Sequence, residues 1–316
     1  MTKVSELAYN KCFAATPEDL GEVAVLYGGV SAERAISLIS GQAVAHALKE
    51  LGVNVNAIDV GENVIEQLSD ASFDTAFIAL HGVGGEDGKI QALLEYLGKP
   101  YTGSGLAASA LAMDKLKSKQ VWQAEGFSTP PYLCVNADSD WQAVMNTLGA
   151  EVFVKPIHEG SSLGMSCVDN AVDLKNAYQL AATFDPKVLV EQRIVGAEYS
   201  VALLNGQALP PISMLTSNSF YDYQAKYESN ETRYQCPCDL SAEKGDEIQA
   251  IAVKAFNALG CSGWGRIDFM QNKDGDFFLL EANTVPGMTE HSLVPMAAKV
   301  VGLDFKALLL EILVDV

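Results

Sequence analysis

Basic residues are scarce in this chain: 21 lysines and arginines stand against 40 acids, a formal charge of −19 over 316 residues. A non-specific grip on nucleic acid or on an anionic membrane needs a basic face, so neither is expected as a partner. A small anion in a locally basic pocket remains open. No stretch approaches the roughly 18 consecutive apolar residues of a membrane span. The opening residues, Met1 to Asn10, hold no apolar core of signal-peptide length, so a cytoplasmic protein is expected. The six cysteines (Cys12, Cys134, Cys167, Cys236, Cys238 and Cys261) form no metal-ligand framework, and Cys236-Pro-Cys238 has no partner pair. Reduced thiols follow. No G-x-x-x-x-G-K-[ST] exists, which excludes the P-loop solution to phosphate binding. There is no internal repeat and no low-complexity tract. What is present is a globular composition, 49% apolar and 19% charged, with length for two or three domains.

After a polar leader, Val23-Ala-Val-Leu-Tyr27 reads as a buried strand broken at Gly28-Gly29. A helix should follow, with Ser31 as N-cap and Ile36, Ile39, Ala43, Ala47 and Leu51 on one stripe. Strands at 53–60 and 75–80 and a helix at 89–97, closed by Gly98, continue the alternation. The β-α-β order predicts a parallel, Rossmann-like unit to about residue 105. Ligands of such sheets gather beyond the carboxyl ends of the strands, where Glu33 and His81-Gly-Val-Gly-Gly85 sit. Gly103-Ser-Gly-Leu-Ala-Ala108 matches a dinucleotide fingerprint formally, but it follows only a very short strand candidate, so a dehydrogenase reading is poor. Beyond it, helices are predicted at 114–125, 244–259 and 304–313, and strands at 152–155, 188–191, 199–204 and 209–214.

The most informative stretch runs from Gly263 to Asn283. Two strand-like segments, 264–270 and 277–283, flank Asp274-Gly275, a strong signal for a two-residue turn. Centred on that dipeptide, the register sets Asp268 opposite Glu281 and Arg266 opposite Asn283, on one face of the ribbon. Two opposed carboxylates repel, and a hard divalent cation such as Mg²⁺ removes the conflict with the Asp, Glu and Asn oxygens it prefers. The plain alternative is a pair of exposed acids on an edge hairpin; the metal reading is favoured.

Glu159-Gly-Ser-Ser-Leu-Gly-Met165 follows a strand ending in Lys155, so backbone N–H groups and hydroxyls can converge on a phosphate. Gly-Ser loops are also common connectors. Lys155 ends an apolar strand, Lys115 opens a helix, and Lys226 lies in the Tyr-rich segment Phe220-Tyr-Asp-Tyr-Gln-Ala-Lys-Tyr227, long enough for a lid. Singly, each reads as a solvated lysine; beside a two-acid metal ribbon they point to ATP·Mg²⁺. Glu191 is placed to contact ribose or adenine. His46 reads as structural and His158 is left open, while His81 and His291, in glycine- or proline-punctuated loops, are functional candidates.

Together these segments resemble the D-alanine–D-alanine ligases of the ATP-grasp superfamily, from about Val23 to about Leu303. The resemblance is carried by Gly28-Gly-Val-Ser-Ala-Glu-Arg34, His81-Gly-Val-Gly-Gly-Glu-Asp-Gly88, Tyr101-Thr-Gly-Ser-Gly105 and Met113-Asp-Lys115. It continues in Lys155-Pro with Glu159-Gly-Ser-Ser162, the segment ending at Tyr227, Gly265-Arg-Ile-Asp268, and Glu281-Ala-Asn-Thr-Val-Pro-Gly-Met-Thr-Glu-His-Ser-Leu293. It implies an α/β fold, α+β in its C-terminal part: a Rossmann-like substrate domain over 1–110, a central small α/β ATP-grasp domain over 111–197, and a C-terminal antiparallel-sheet domain over 198–316.

By the resemblance, one D-alanine carboxylate attacks the γ-phosphate of ATP, and the amine of a second D-alanine attacks the acyl phosphate. The dipeptide feeds peptidoglycan precursor synthesis. Two Mg²⁺, for which Mn²⁺ can substitute, would be held by Asp268, Glu281 and Asn283. Lys115 and Lys155 would contact ATP phosphates, Lys226 the γ-phosphate side, and Glu191, Ile194 and Glu198 the adenosine. Arg266 and the Gly287 N–H would stabilise the oxyanion. Glu33 would take the first substrate's ammonium with His81 nearby, and Ser292 and Leu293 the second substrate's carboxylate. Ser161, Tyr227 and Glu33 would form a hydrogen-bonded triad under a lid at about 220–235. A homodimer is also implied.

Two positions depart from the family pattern: the hinge reads Glu191-Gln-Arg-Ile194, and Val83 stands where a basic residue is common. Another ATP-grasp ligase would lack the loop from Pro286 to Ser292, a D-alanine–D-lactate ligase would lack Tyr227, and a nucleotide sensor would not need Arg266.

Overall fold

Four consecutive apolar residues, Val23 to Leu26, are wholly excluded from solvent, as a strand covered on both faces requires. They form β1 (Glu22–Gly28), followed by α1 (Arg34–Glu50), β2 (Asn54–Val60), α2 (Val64–Asp70) and β3 (Thr75–Ile78). The sheet is parallel with order β2-β1-β3, so that Val25 lies between Ala57 and Phe77. α1 starts at Arg34, later than a Ser31 cap would place it. The Ser31 hydroxyl accepts the Glu33 N–H at 3.2 Å and donates to the His81 carbonyl at 2.7 Å, tying the strand-end loops together instead. α3 (Lys89–Tyr96), α4 (Leu106–Met113) and α5 (Lys115–Ala124) follow. The computed structural model describes residues 16–215, 233–314 and 316, so Cys12, Lys226, Tyr227 and most of the expected lid lie outside the described residues.

The second sheet is antiparallel, in the order β4 (Tyr132–Val135), β7 (Val188–Gln192), β5 (Val152–Pro156), β6 (Ser166–Val168), with α6 (Trp141–Leu148) and α7 (Ala171–Ala181) between its strands. Strand alternation sorts its two faces. Val152, Val154, Val188 and Val190 pack with Val144, Leu148, Leu174 and Ala181 of the two helices. Phe153, Lys155, Leu189 and Glu191 therefore occupy the opposite face, with Phe153 paired to Glu191 and Lys155 to Leu189.

The third sheet carries the hairpin. It comprises β8 (Ala197–Leu204), β9 (Gln207–Ala208), β10 (Ile212–Leu215), β11 (Arg233–Gln235), β12 (Trp264–Gln271) and β13 (Phe277–Asn283). α8 (Ala242–Ala258) precedes β12, and α9 (Leu293–Val300) and α10 (Phe305–Leu313) end the chain. β10 starts three residues later than predicted, since Pro210 and Pro211 offer no N–H to a ladder. One face of the sheet, through Tyr199, Val201, Leu203, Ile267 and Phe269, packs on α4, α5 and α8. The other, through Ala202, Leu204 and Trp264, joins the first sheet and α9–α10 in a single core. Packing thus binds α4 and α5 to the third sheet. The division expected after residue 110 falls inside α4, and the one after 197 falls inside β8.

The hairpin differs from the two-residue turn expected at Asp274-Gly275. Gly275 donates to Asn272 at 3.1 Å and Asn272 to Asp276 at 3.0 Å, leaving a three-residue loop with Gly275 at φ +88°. That loop alone would shift every cross-strand pair by one. Leu280 restores the register: Phe269 pairs with Leu279 but Asp268 pairs with Glu281, so Leu280 is an extra residue in β13. The bulge lets Phe277 and Leu279 enter the apolar core while Glu281 and Asn283 lie on the other face, beside Arg266 and Asp268.

Gly265 permits the close packing under Arg266. A Cβ there would lie 2.7 Å from the Phe256 ring and 2.8 Å from the Asn283 carbonyl oxygen. Gly265→Ala should therefore cost about 1–3 kcal/mol of stability by urea unfolding. An unchanged midpoint would contradict this account of the strand contact.

Candidate active site

Glu33, at the N-terminus of α1, is 8% exposed. Its carboxylate accepts the Ser161 hydroxyl from the glycine-serine loop after β5. Glycines make room for it: a Cβ on Gly82 would come within 2.4 Å of Glu33 Oε2, and one on Gly160 within 2.9 Å. Ser161 and Ser162 both hold positive φ (50° and 58°), strained for non-glycine residues, as loops at functional sites often are. Arg34, next in sequence, turns away. It forks onto Asp59 with two 2.8 Å bonds and donates to the Gly29 carbonyl at 3.0 Å, fixing the turn after β1.

His81 is buried, and both its ring nitrogens are occupied. Nδ1 lies 2.8 Å from the Val285 carbonyl, which can only accept, so Nδ1 carries the proton and Nε2 accepts from Ser40 at 3.0 Å. Burial lowers its pKa, against the pull of Glu33 and the Val285 carbonyl. A neutral imidazole thus fastens the end of β3 and α1 to the loop after β13, and Ser40 also accepts the Met288 N–H at 3.2 Å. Glu86 acts on the same loop. It accepts the Gly82 N–H at 2.7 Å and the Val285 N–H at 3.2 Å, and burial together with Glu33 pushes its carboxyl up to about 8.

On the side of the second sheet, Lys115 begins α5, whose N-cap Asp114 accepts the Lys117 N–H at 2.9 Å. Its ammonium donates to the Glu159 carbonyl at 2.7 Å and stands 3.4 Å from Glu281. His158, at the entry to the glycine-serine loop, bridges Asp185 at 2.7 Å and Asp114 at 3.2 Å. Burial alone would raise the Asp185 carboxyl, but N–H donations from Lys187 and His158 and the His158 ring hold it low. Glu191 is buried between two lysines, Lys155 at 2.7 Å and Lys119 at 3.0 Å.

On the ribbon, Asp268 accepts from Ser200 at 2.7 Å and from Arg266, and lies directly opposite Glu281. Asn283 sits one pair further along, opposite Arg266. Its side-chain oxygen is buried and has no hydrogen-bond partner among the described residues. An orphaned amide oxygen beside two carboxylates is a donor set that suits a hard divalent cation.

Three small cavities run in series. The first, about 80 Å³, is lined by Lys115, Lys155, Ser162, Glu198 and Glu281. The second, about 70 Å³, shares Lys115 and Glu281 and adds Glu33, His81, Ser161, Arg266, Asn283 and Gly287. The third, about 290 Å³, shares Arg266 and Gly287 with the second and is closed by Tyr234, His291, Ser292 and Leu293. Ser292 is the N-cap residue of α9, and its hydroxyl accepts the Thr289 N–H at 3.0 Å. Ile194 stands apart from these cavities, half-buried in the link between β7 and β8. A larger cleft of about 600 Å³ lies at β6 and α7, lined by Cys167, Asp173 and Arg193, and holds none of the expected site residues. Most of the expected site residues line the series of three, whereas Asp268 and Glu191 stand behind it, each paired with a residue that does line it, Arg266 and Lys155.

Sequence reasoning passed over Lys119, Glu86, Ser40 and the Asp114–His158–Asp185 bridge. Only Lys119 left a signal. Lys115, Ser118, Lys119 and Trp122 form one buried stripe of α5, and a lysine within such a stripe calls for a buried partner.

Family models described as D-ala D-ala ligase N-terminus and D-ala D-ala ligase C-terminus match residues 60–104 and 121–314. The D-alanine–D-alanine ligase of Saccharophagus degradans is 58% identical over 305 residues, covering 96% of this chain and 97% of that protein. That of Pseudomonas fluorescens is 52% identical over 307 residues, covering 97% and 95%. Among solved structures, the D-alanine–D-alanine ligase of Bacillus anthracis complexed with ATP has TM-score 0.81 and 31% identity over 93% of this chain and 97% of that one. The D-Ala:D-Ser ligase of Enterococcus faecalis has TM-score 0.80 and 29% identity over 93% and 98%. The fold is that of the ATP-grasp ligases, with the charged groups at the meeting of its sheets. The chain belongs to the D-alanine–D-alanine ligase family.

The raised carboxyl of Glu86 sets a pH dependence. Below about 4.5 the folded and unfolded chains both hold its proton; from there to about 8 only the folded chain does, so stability falls as pH rises through that window and levels off above it. The contribution is at most about 1.4 kcal/mol per pH unit. Urea unfolding of wild type and Glu86→Gln from pH 5 to 8 should show a shallower decline in the variant. Parallel curves would remove Glu86 as the cause.

Proposed function

We propose that this chain joins two D-alanines into D-alanyl-D-alanine at the expense of ATP, supplying the dipeptide for peptidoglycan precursors. The observation that carries the reading is the series of three cavities, joined first by Lys115 and Glu281 and then by Arg266 and Gly287. A ligase of this kind needs three places in line: one for a triphosphate, one for the carboxylate to be activated, and one for the incoming amine.

The first cavity takes the phosphates, with Lys115, Lys155 and the N–H groups of the glycine-serine loop as their counter-charges, and with Glu191, Ile194 and Glu198 assigned to the adenosine. In the second, Glu33 holds the ammonium of the first D-alanine. Its carboxylate oxygen attacks the γ-phosphorus, the bond to ADP breaks, and an acyl phosphate forms. The second D-alanine binds in the third cavity, its carboxylate at Ser292 and Leu293, where the N-terminus of α9 favours an anion. Its uncharged amine attacks the acyl carbon, Arg266 and the Gly287 N–H take the charge that develops on oxygen, and phosphate leaves. His81, with both nitrogens bound to protein groups, is given the part of fixing the loop that bears Gly287. Asp268, Glu281 and Asn283 would hold Mg²⁺, whose chemistry when bound is neutralisation of the triphosphate.

Lys226 and Tyr227 keep their lid roles from the motif alone, and a homodimer rests on the family resemblance alone. No helix among the described residues is long and apolar enough to cross a membrane; placement in the cytoplasm belongs to the same reading.

ADP release should require D-alanine and Mg²⁺ together, with L-alanine and D-lactate failing to replace D-alanine. Glu281→Gln should lower turnover at least about a hundredfold while the thermal melt stays near wild type. Near-normal turnover in that variant would sink the ribbon's assignment, and ADP release indifferent to D-alanine would sink the ligase.

A further inference from the structure

Glu191 has two lysines where one would balance its charge. Lys155 and Lys119 each reach one carboxylate oxygen, at 2.7 and 3.0 Å. The two differ in access. The Lys155 side chain retains 12% exposure and lines the cavity given above to the phosphates, whereas that of Lys119 is completely enclosed. Lys119 comes from α5 and reaches Glu191 past β13, its ammonium 3.5 Å from the Leu279 carbonyl. Taking a lysine fully out of water is costly, and a single buried pair would have satisfied Glu191. The cluster as built carries one surplus positive charge beside a cavity read as a phosphate site.

We propose that Lys119 is a positioning residue of the nucleotide site: it holds Glu191 ionised and in place so that Lys155 is free to turn to the nucleotide's phosphates. The inference rests on the nucleotide reading above. Without Lys119, a phosphate could draw Lys155 away only by leaving Glu191 buried and unpaired, and nucleotide binding would bear that penalty although Lys119 touches no ligand. The charge states agree. Burial lowers the Lys119 ammonium to about 8 against the attraction of Glu191, so it stays largely charged at neutral pH. Burial would raise Glu191, but Lys119 and Lys155 outweigh it and hold it low.

The test uses the full-length protein as wild type, Lys119→Met, Lys119→Arg, Glu191→Gln and the double variant Lys119→Met with Glu191→Gln. Binding of a non-hydrolysable ATP analogue with Mg²⁺ is titrated calorimetrically, and KM is measured separately for ATP and D-alanine. Lys119→Met should weaken the analogue and raise KM for ATP by about tenfold or more, with KM for D-alanine changed less than about twofold. Lys119→Arg should recover most of the loss. In the Glu191→Gln background the lysine substitution should add less than about twofold, because no carboxylate is left to be stranded when Lys155 turns to the phosphates. The double variant leaves neither the Glu191 carboxylate nor the enclosed Lys119 ammonium, and Lys155 alone keeps its charge, at the opening to the cavity; this variant is the folded reference if Lys119→Met alone is too unstable. Equal rises in both KM values, unchanged analogue binding, or losses that multiply in the double variant would each overturn the proposal. Failure of wild type to bind the analogue would instead overturn the nucleotide reading, and this inference with it, before any variant is compared.

Discussion

The pairing of buried and half-buried carboxylates with a few cations is the interaction on which this molecule depends. In a chain with a formal charge of −19, Lys115, Lys119, Lys155 and Arg266 converge where the sheets meet, each against an acid. Such pairs contribute little net stability, since both charges leave water, and breaking one by removing a single partner is expensive. Their presence calls for a functional reason. The proposed ligation supplies one: a site that accepts a triphosphate and a carboxylate works best with charges already in place, so that ligands exchange partners instead of reorganising the protein.

Each element around the site serves that placement. Strand alternation in β5 and β7 separates the valines packed under α6 and α7 from Lys155 and Glu191. The extra residue Leu280 turns β13 so that its first half feeds the apolar core and its second half carries Glu281 and Asn283 to the ligand side. His81, Ser40 and Glu86 pin the Val285–Met288 loop from the side of the first sheet, which binds the candidate oxyanion N–H of Gly287 to the Glu33 side of the cleft.

Much of this was legible in the sequence, and the reasons for the rest are specific. The pairs Asp268–Glu281 and Arg266–Asn283 follow from alternation about a turn, yet they hold only because a three-residue loop and a bulge compensate each other. Nothing local marks Leu280 as extra, because an apolar residue suits either face of a hairpin beside a core. α4, Leu-Ala-Ala-Ser-Ala-Leu-Ala-Met, escaped because it is apolar on nearly every face and has no amphipathic period to read. Its packing on the third sheet, with that of α5, cannot be seen from chain order. Ser31 looked like a helix cap because serine suits that place, but tertiary contact with His81 gave it other work. The buried role of His81 depends on Ser40 and Val285, 41 and 204 residues away.

The central claim is that the clustered charges bring a carboxylate into line with a phosphoryl group. The most direct measurement follows the oxygen. D-alanine labelled with ¹⁸O in its carboxylate is turned over with ATP and Mg²⁺, and the released phosphate is analysed by mass spectrometry. Transfer through an acyl phosphate predicts one labelled oxygen in the phosphate per dipeptide formed and none in ADP. Unlabelled phosphate accompanying dipeptide would contradict the account, because the carboxylate would then never have carried the phosphoryl group.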